Sequence, residues 1–172
     1  MSGNWYILYT NPGQEKKVSA YLTKKGYENF CPLNPLDYSD RKKQSGDPLF
    51  PRYVFVYMSA AQLLTVRSFP GVLQLVYWLS KPAMVKDEEI KIIREFCSKH
   101  RHIELSKSFV DAEEVCQVTR VPYLSAEKLS ISPIKSCVKV LLPSLGYTMT
   151  AFLEQEELGI LPVSHSNLKM VS

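Results

Sequence analysis

Chemistry needs nucleophiles, bases or metal ligands at workable spacing, and this sequence offers few. Cys97, His100 and His102 come nearest to a metal-ligating cluster. Only these three stand together, with Cys97 on the apolar side of an expected helix, which does not match structural metal spacings. No phosphate loop, nucleophile elbow or paired-carboxylate setting occurs, and His165 falls in a terminal tail. No catalytic residue, metal or cofactor is expected, and the chain does not read as an enzyme. The residues that stand out are suited to binding. Pro48-Leu49-Phe50-Pro51-Arg52-Tyr53-Val54-Phe55-Val56 places an aromatic strand behind a proline-bracketed segment. Strand alternation puts Tyr53 and Phe55 on one face and Val54 and Val56 on the other, with Pro51 at the strand's start or on an edge. Either both faces are covered by the protein itself, or one is kept for a partner. Lys16 and Lys17 on a helix, and Arg41-Lys42-Lys43 on a loop, form basic groups that serve equally as phosphate contacts or as solvated surface.

The bulk composition frames these groups. The 172 residues are 45% apolar and 22% charged, ordinary for a globular chain of one domain, or of one domain with a small appendage. No apolar run approaches the roughly 20 residues of a membrane helix, and the N-terminus lacks signal-peptide order. A cytoplasmic protein without membrane contact is expected. Four scattered cysteines, Cys31, Cys97, Cys116 and Cys137, read as small buried hydrophobes in a reducing compartment. Residues 1–105 carry 15 Lys+Arg against 10 Asp+Glu, whereas residues 106–172 carry 6 against 7. This uneven balance suggests nucleic-acid contact through the first part, short of the strongly basic balance of a dedicated binder, and serves equally as a solvated surface with a slight excess of lysine.

The elements that must position these groups follow from pattern. Trp5–Thr10 reads as a strand, Asn11-Pro12-Gly13 as a turn, and Gln14–Lys25 as a helix with Val18, Tyr21 and Leu22 at helical spacing. Gly26 stops that helix. Residues 29–33 form a short strand candidate, 37–47 an exposed loop, and the Pro48–Val56 strand runs on to about Met58. A short helix over 60–67, a break at Phe69-Pro70-Gly71 and a strand over 72–78 come next. A helix from Lys86 or Asp87 through Phe96 has acids at its positive end. The expected first domain, 1–105, is α+β: an antiparallel sheet with helices against it. The polar stretch 99–114 reads as linker, with 106–114 as the inter-domain segment. A small barrel is expected over 115–163 and a tail over 164–172.

These segments resemble NusG-type transcription elongation factors, most closely the operon-directed RfaH- and UpxY-like antiterminators. The carrying residues are Trp5–Tyr9, Gly13-Gln14 with the lysine-bearing helix, Pro48–Val56, Val66-Arg67-Ser68-Phe69-Pro70-Gly71-Val72 and Lys81-Pro82-Ala83-Met84-Val85. The resemblance implies a four-stranded antiparallel sheet flanked by helices, acting as a monomer on RNA polymerase. Its apolar groove, carried over to Tyr9, Leu49, Phe50, Pro51, Tyr53 and Phe55, is expected to receive the clamp helices of the largest polymerase subunit. A second face, at Asn11, Gln14, Lys16, Lys17, Tyr21 and Arg67, is expected on upstream or non-template DNA, with Arg41, Lys42 and Lys43 as backbone contacts. Asn11-Pro12 and Phe69-Pro70 depart from the RfaH pattern, so the same DNA element is not expected. Gln62-Leu63-Leu64 replaces the polar tripeptide that meets the second large subunit.

The C-terminal part resembles the family's SH3-like, KOW-type barrel in degenerate form. Val138-Lys139-Val140-Leu141 and Ser144-Leu145-Gly146-Tyr147 match its distal strands, but Val121–Glu127 has no glycine for the usual turn. Pro122, Pro133 and Pro143 argue against a helical alternative. Ribosomal or other factors are the partners implied for this domain. The alternative from another class is a stand-alone RNA-binding or ribosome-associated module.

Overall fold

The structure is a computed structural model and describes residues 3–34, 46–108, 118–123 and 135–152. Five short strands and two longer ones build its central sheet and hairpin. β1 (Asn4–Thr10), β2 (Glu28–Phe30), β3 (Tyr53–Met58), β4 (Val72–Leu75) and β7 (Met84–Val85) form one antiparallel sheet, and β5 (Tyr77–Trp78) pairs with β6 (Lys81–Pro82). β1 is central, with β3 on one side in a register that sets Tyr9 opposite Tyr53 and Ile7 opposite Phe55. On its other side lie β4 and β7.

Alternation decides which core each side chain joins. Tyr6, Leu8, Val54, Val56 and Met58 pack with Val18 and Leu22 of α1 (Glu15–Lys24) and Val66 of α2 (Leu63–Val66). Trp5, Ile7 and Phe55 face the opposite way, onto Ile90, Ile93 and Phe96 of α3 (Asp87–Lys99). The helices form where the 3.6-residue pattern predicts, and α3 opens with Asp87, Glu88 and Glu89 against its positive end.

Two elements differ from the sequence reading, and β7, pairing with β1, makes the expected four-stranded sheet five-stranded. The stretch 72–78 is not one strand: the Val76 N–H donates to Ile7 O at 2.9 Å, after which Tyr77 and Trp78 turn back into a hairpin. Leu79 and Ser80 occupy positive φ at its tip, and Trp78 (71% exposed) and Leu79 (84% exposed) project from the surface. The second correction concerns the expected linker. α3 runs to Lys99, and Ile103–Lys107 is a strand, β8. Its alternation is short and its outward residues polar, so it pairs through backbone rather than through an apolar pattern visible in the sequence.

β8 joins β9 (Val118–Tyr123), β10 (Lys135–Leu142) and β11 (Tyr147–Phe152) in an antiparallel sheet of order β8-β11-β10-β9. Pro122 sits in β9, the end strand of that order, where a missing N–H is tolerated. The β10–β11 turn closes at Gly146, whose φ of +66 suits glycine. Val138, Val140, Leu142, Met149 and Ala151 pack into the same core as Phe50 and Phe55. The central sheet is thus covered by α1 and α2 on one face and by α3 and the C-terminal sheet on the other.

Candidate functional site

The proline-bracketed segment enters β3 through a tight turn. The Tyr53 N–H donates to Phe50 O at 3.1 Å, and Arg52, third residue of that turn, has φ +69. Proline second and a positive φ third are the marks of a type II turn, in which glycine is the usual third residue. An L-residue in this conformation costs about 1–2 kcal/mol, and three contacts hold Arg52 there. Its N–H donates to Glu15 Oε1 at 2.8 Å, its Nε–H donates to Thr10 O at 3.1 Å, and its guanidinium carbon lies 4.2 Å from the Tyr9 ring centroid. Glu15 is buried in the first turn of α1, where a carboxylate also suits the helix dipole.

This turn forms one wall of a cleft of about 280 Å³ lined by Leu49, Phe50, Pro51 and Tyr53 with Leu105 and Tyr147. Phe50, Tyr53 and Tyr147 make half of this lining aromatic, and Tyr9 and Phe55 pack behind it. Tyr9 and Tyr53 meet edge-on at 5.9 Å, Phe50 and Phe55 at 5.5 Å, and Phe50 and Tyr147 at 5.9 Å. Burial pushes the Tyr53 phenol above its ordinary pKa, with Tyr147 and Tyr9 adding to the effect. Phe50 is 2% exposed with Tyr147 against it, and Phe55 is 0% exposed in the core that α3 and the C-terminal sheet share. Among the residues expected in an open groove, Leu49, Phe50 and Phe55 are therefore buried, whereas Tyr9 and Tyr53 are half-buried and Pro51 is exposed.

Polar bonds fix the C-terminal sheet in this position. The Asn34 side chain donates to Ile103 O at 3.0 Å and accepts from Ile103 N–H at 3.1 Å, standing in for a strand neighbour. Glu89, 1% exposed, accepts from Ser144 N–H at 2.9 Å. Its other oxygen reaches back to Lys86 N–H at 3.4 Å, as in a helix capping box.

A second cluster lies on the opposite face. The Asn11 N–H donates to Gly71 O at 2.9 Å, and a Cβ on Gly71 would come within 2.9 Å of Val18 Cγ2. That close approach sets the start of α1 beside the α2–β4 connection. Tyr21 meets Phe69 edge-on at 5.1 Å, Tyr27 meets Phe69 at 5.7 Å, and Lys25 Nζ stands 5.6 Å from the Tyr21 ring. Asn11, Lys16, Lys17 and Arg67 are exposed and Gln14 half-buried. A polar, basic helix start with an aromatic cluster beside it is chemistry suited to phosphates and unpaired bases.

The family profile described as "Transcription termination factor nusG" matches residues 3–94, more than half of the chain. The chain belongs to the NusG family. NusG-family proteins are transcription elongation and termination factors that work with RNA polymerase, and they are not enzymes. A solved structure described as "Domain interaction in Thermotoga maritima NusG" is similar in fold, with a TM-score of 0.51 and 22% identity over 90% of this chain and 94% of that one. No curated protein is significantly similar to the chain. Among the described residues, no helix is long and apolar enough to cross a membrane.

In this NusG-family chain, Tyr9, Leu49, Phe50, Pro51, Tyr53 and Phe55 come together around one turn. Asn11, Gln14, Lys16, Lys17 and Tyr21 share the α1 side, and Arg67 lies on the connection that carries Phe69. Arg41, Lys42 and Lys43 lie outside the described residues. Sequence reasoning missed Glu15, Arg52, Leu105 and Tyr147. A single acid at a helix start and an arginine inside a strand motif gave no signal. The Ile103-x-Leu105 alternation was a faint one. Burial pushes the Cys31 and Cys97 thiols up to about 11; at Cys31 the Glu15 charge adds and Lys16 opposes. Since the thiolate is the reactive form, both should alkylate at pH 8 about a hundredfold more slowly than a free thiol. Iodoacetamide labelling followed by peptide mass spectrometry, repeated up to pH 10.5, should show their rates climbing through that range.

Proposed function

We propose that this chain is an elongation and antitermination factor of the operon-directed, RfaH- and UpxY-like branch. It binds the clamp helices of the largest RNA polymerase subunit through the Tyr9, Leu49–Pro51 and Tyr53 groove. Upstream or non-template DNA meets the Asn11, Gln14, Lys16, Lys17, Tyr21 and Arg67 face. The observation that carries the reading is the rigid aromatic wall. A proline-led turn, held from behind by Glu15 and Thr10, presents Tyr53 beside Tyr9 without further ordering, and preorganised aromatics make efficient anchors for a helix pair. In this reading the C-terminal sheet, part of an SH3-like barrel, covers the groove in the resting chain and must swing away for polymerase to enter.

The test is Tyr53→Ala in the full-length protein. Tyr53 is half-buried, so the variant should fold, and its affinity for purified polymerase should fall about 30-fold, as for a truncated hot-spot residue. Undiminished binding would remove the groove from the mechanism. The competing reading, a stand-alone RNA-binding module, is met in the same experiment: retained affinity for free RNA that falls steeply with salt, with no dependence on polymerase, would favour it.

A further inference from the structure

We propose that Arg52 is a carboxylate receptor at the rim of the groove, so that the polymerase surface docking there carries an aspartate or glutamate among its apolar side chains. The inference rests on the groove reading above and adds the chemistry of its partner. Four observations point to it. Arg52 occupies a left-handed turn position that glycine would fill without strain, so the side chain is retained at an energetic cost. Its guanidinium is already oriented by the Thr10 carbonyl at 3.1 Å and the Tyr9 ring at 4.2 Å. Glu15, the nearby acid, is engaged with the Arg52 backbone amide, and among the described residues no carboxylate is paired with the Arg52 guanidinium. Finally, Arg52 lies between Pro51 and Tyr53, which both line the cleft, and the other lining residues are apolar or aromatic.

An arginine held by one N–H and a ring face keeps its two terminal amino groups for a planar acceptor, and its entropy cost has largely been met before binding. In an apolar groove, one oriented cation selects partners by the position of one opposite charge, and it penalises an apolar residue there by leaving the cation desolvated. A nucleic-acid phosphate is the other acceptor of this shape. The apolar lining favours a protein surface, because phosphate backbones are tracked by clustered lysines such as Lys16 and Lys17 on the other face.

The experiment measures the binding of full-length Arg52→Gly, Arg52→Lys and Arg52→Glu, with Tyr53→Ala alongside, to purified polymerase without nucleic acid, and separately to DNA alone. Arg52→Gly suits the φ of +69 and should keep the wild-type unfolding midpoint while binding polymerase about tenfold more weakly, the loss of one charge-assisted bond. Arg52→Lys, which keeps the charge but loses the planar fork, should recover less than half of that loss in free energy. Arg52→Glu should bind more weakly still, and polymerase bearing Arg in place of an acid on the clamp helices should restore it. Wild-type binding by Arg52→Gly with weak binding by Tyr53→Ala would overturn the receptor and leave the groove standing; wild-type binding by both would overturn both. An equal loss in binding to DNA alone would assign Arg52 to phosphate and overturn the proposal.

Discussion

Tyr147→Asp in the full-length chain should raise affinity for RNA polymerase by about ten- to a hundredfold. Phe50 is 2% exposed with the Tyr147 ring against it at 5.9 Å, so on the proposed reading a polymerase helix enters the groove only once the two sheets part. A binding-competent state populated at a fraction f weakens the apparent affinity by that fraction. Replacing a half-buried aromatic with a charge removes about 1 kcal/mol of burial and adds a desolvation cost to closure. Both act on the closed state alone, so the open fraction rises. Tyr147 begins β11 beside Leu142 in the β10–β11 hairpin, away from the Val140 and Met149 core positions, so the C-terminal sheet should survive. Binding titrations on polymerase decide the matter: unchanged affinity with a folded variant would show that the sheet does not limit access.

Phe55→Ala should cost about 3–5 kcal/mol of stability and lower the unfolding midpoint by about 10 °C, read by circular dichroism or calorimetry. Phe55 is 0% exposed, with Phe30 at 6.3 Å and Phe50 at 5.5 Å, and its Cα partner across β1 is Ile7. Its truncation leaves a cavity in the core shared by α3 and the C-terminal sheet. Any loss of polymerase binding would therefore follow loss of structure, in contrast to Tyr53→Ala. A midpoint within 2 °C of wild type would show that the site collapses around the cavity, or that Phe55 is more accessible than its packing implies.

That contrast between Tyr53 and Phe55 marks the limit of what the sequence made legible. Period-two alternation placed both on one face of β3, and the two faces do enter different cores, because side-chain direction along a strand is a local property. Which of the two is reachable by a partner depends on α3 and the C-terminal sheet, whose residues enclose Phe55 from far along the chain, and no local pattern encodes that packing. The same reasoning covers Arg52. Its residue type was plain in the sequence, but its left-handed backbone and its support by Glu15 arise from packing α1 against the turn. β8 was missed for a related reason: Ile103 and Leu105 are too few to show a period, and the strand exists because β11 and Asn34 offer it hydrogen bonds. The helices and the central strands, long enough for several repeats of their pattern, were readable. The break after Val76 was not, since a hairpin tip at Leu79-Ser80 lacks the Asn-Gly or Gly-Gly signal that usually announces one.

The contact between the C-terminal sheet and the groove also has a thermal character. Leu49, Phe50, Leu105 and Tyr147 bring mostly carbon together, while the bonds at Asn34 and Glu89 set its position. Closure of such a surface carries a negative heat-capacity change, is driven by water's entropy near room temperature and loosens on cooling. If the C-terminal sheet swings away as proposed, access to the groove should be tuned by temperature, with the open form gaining ground in the cold.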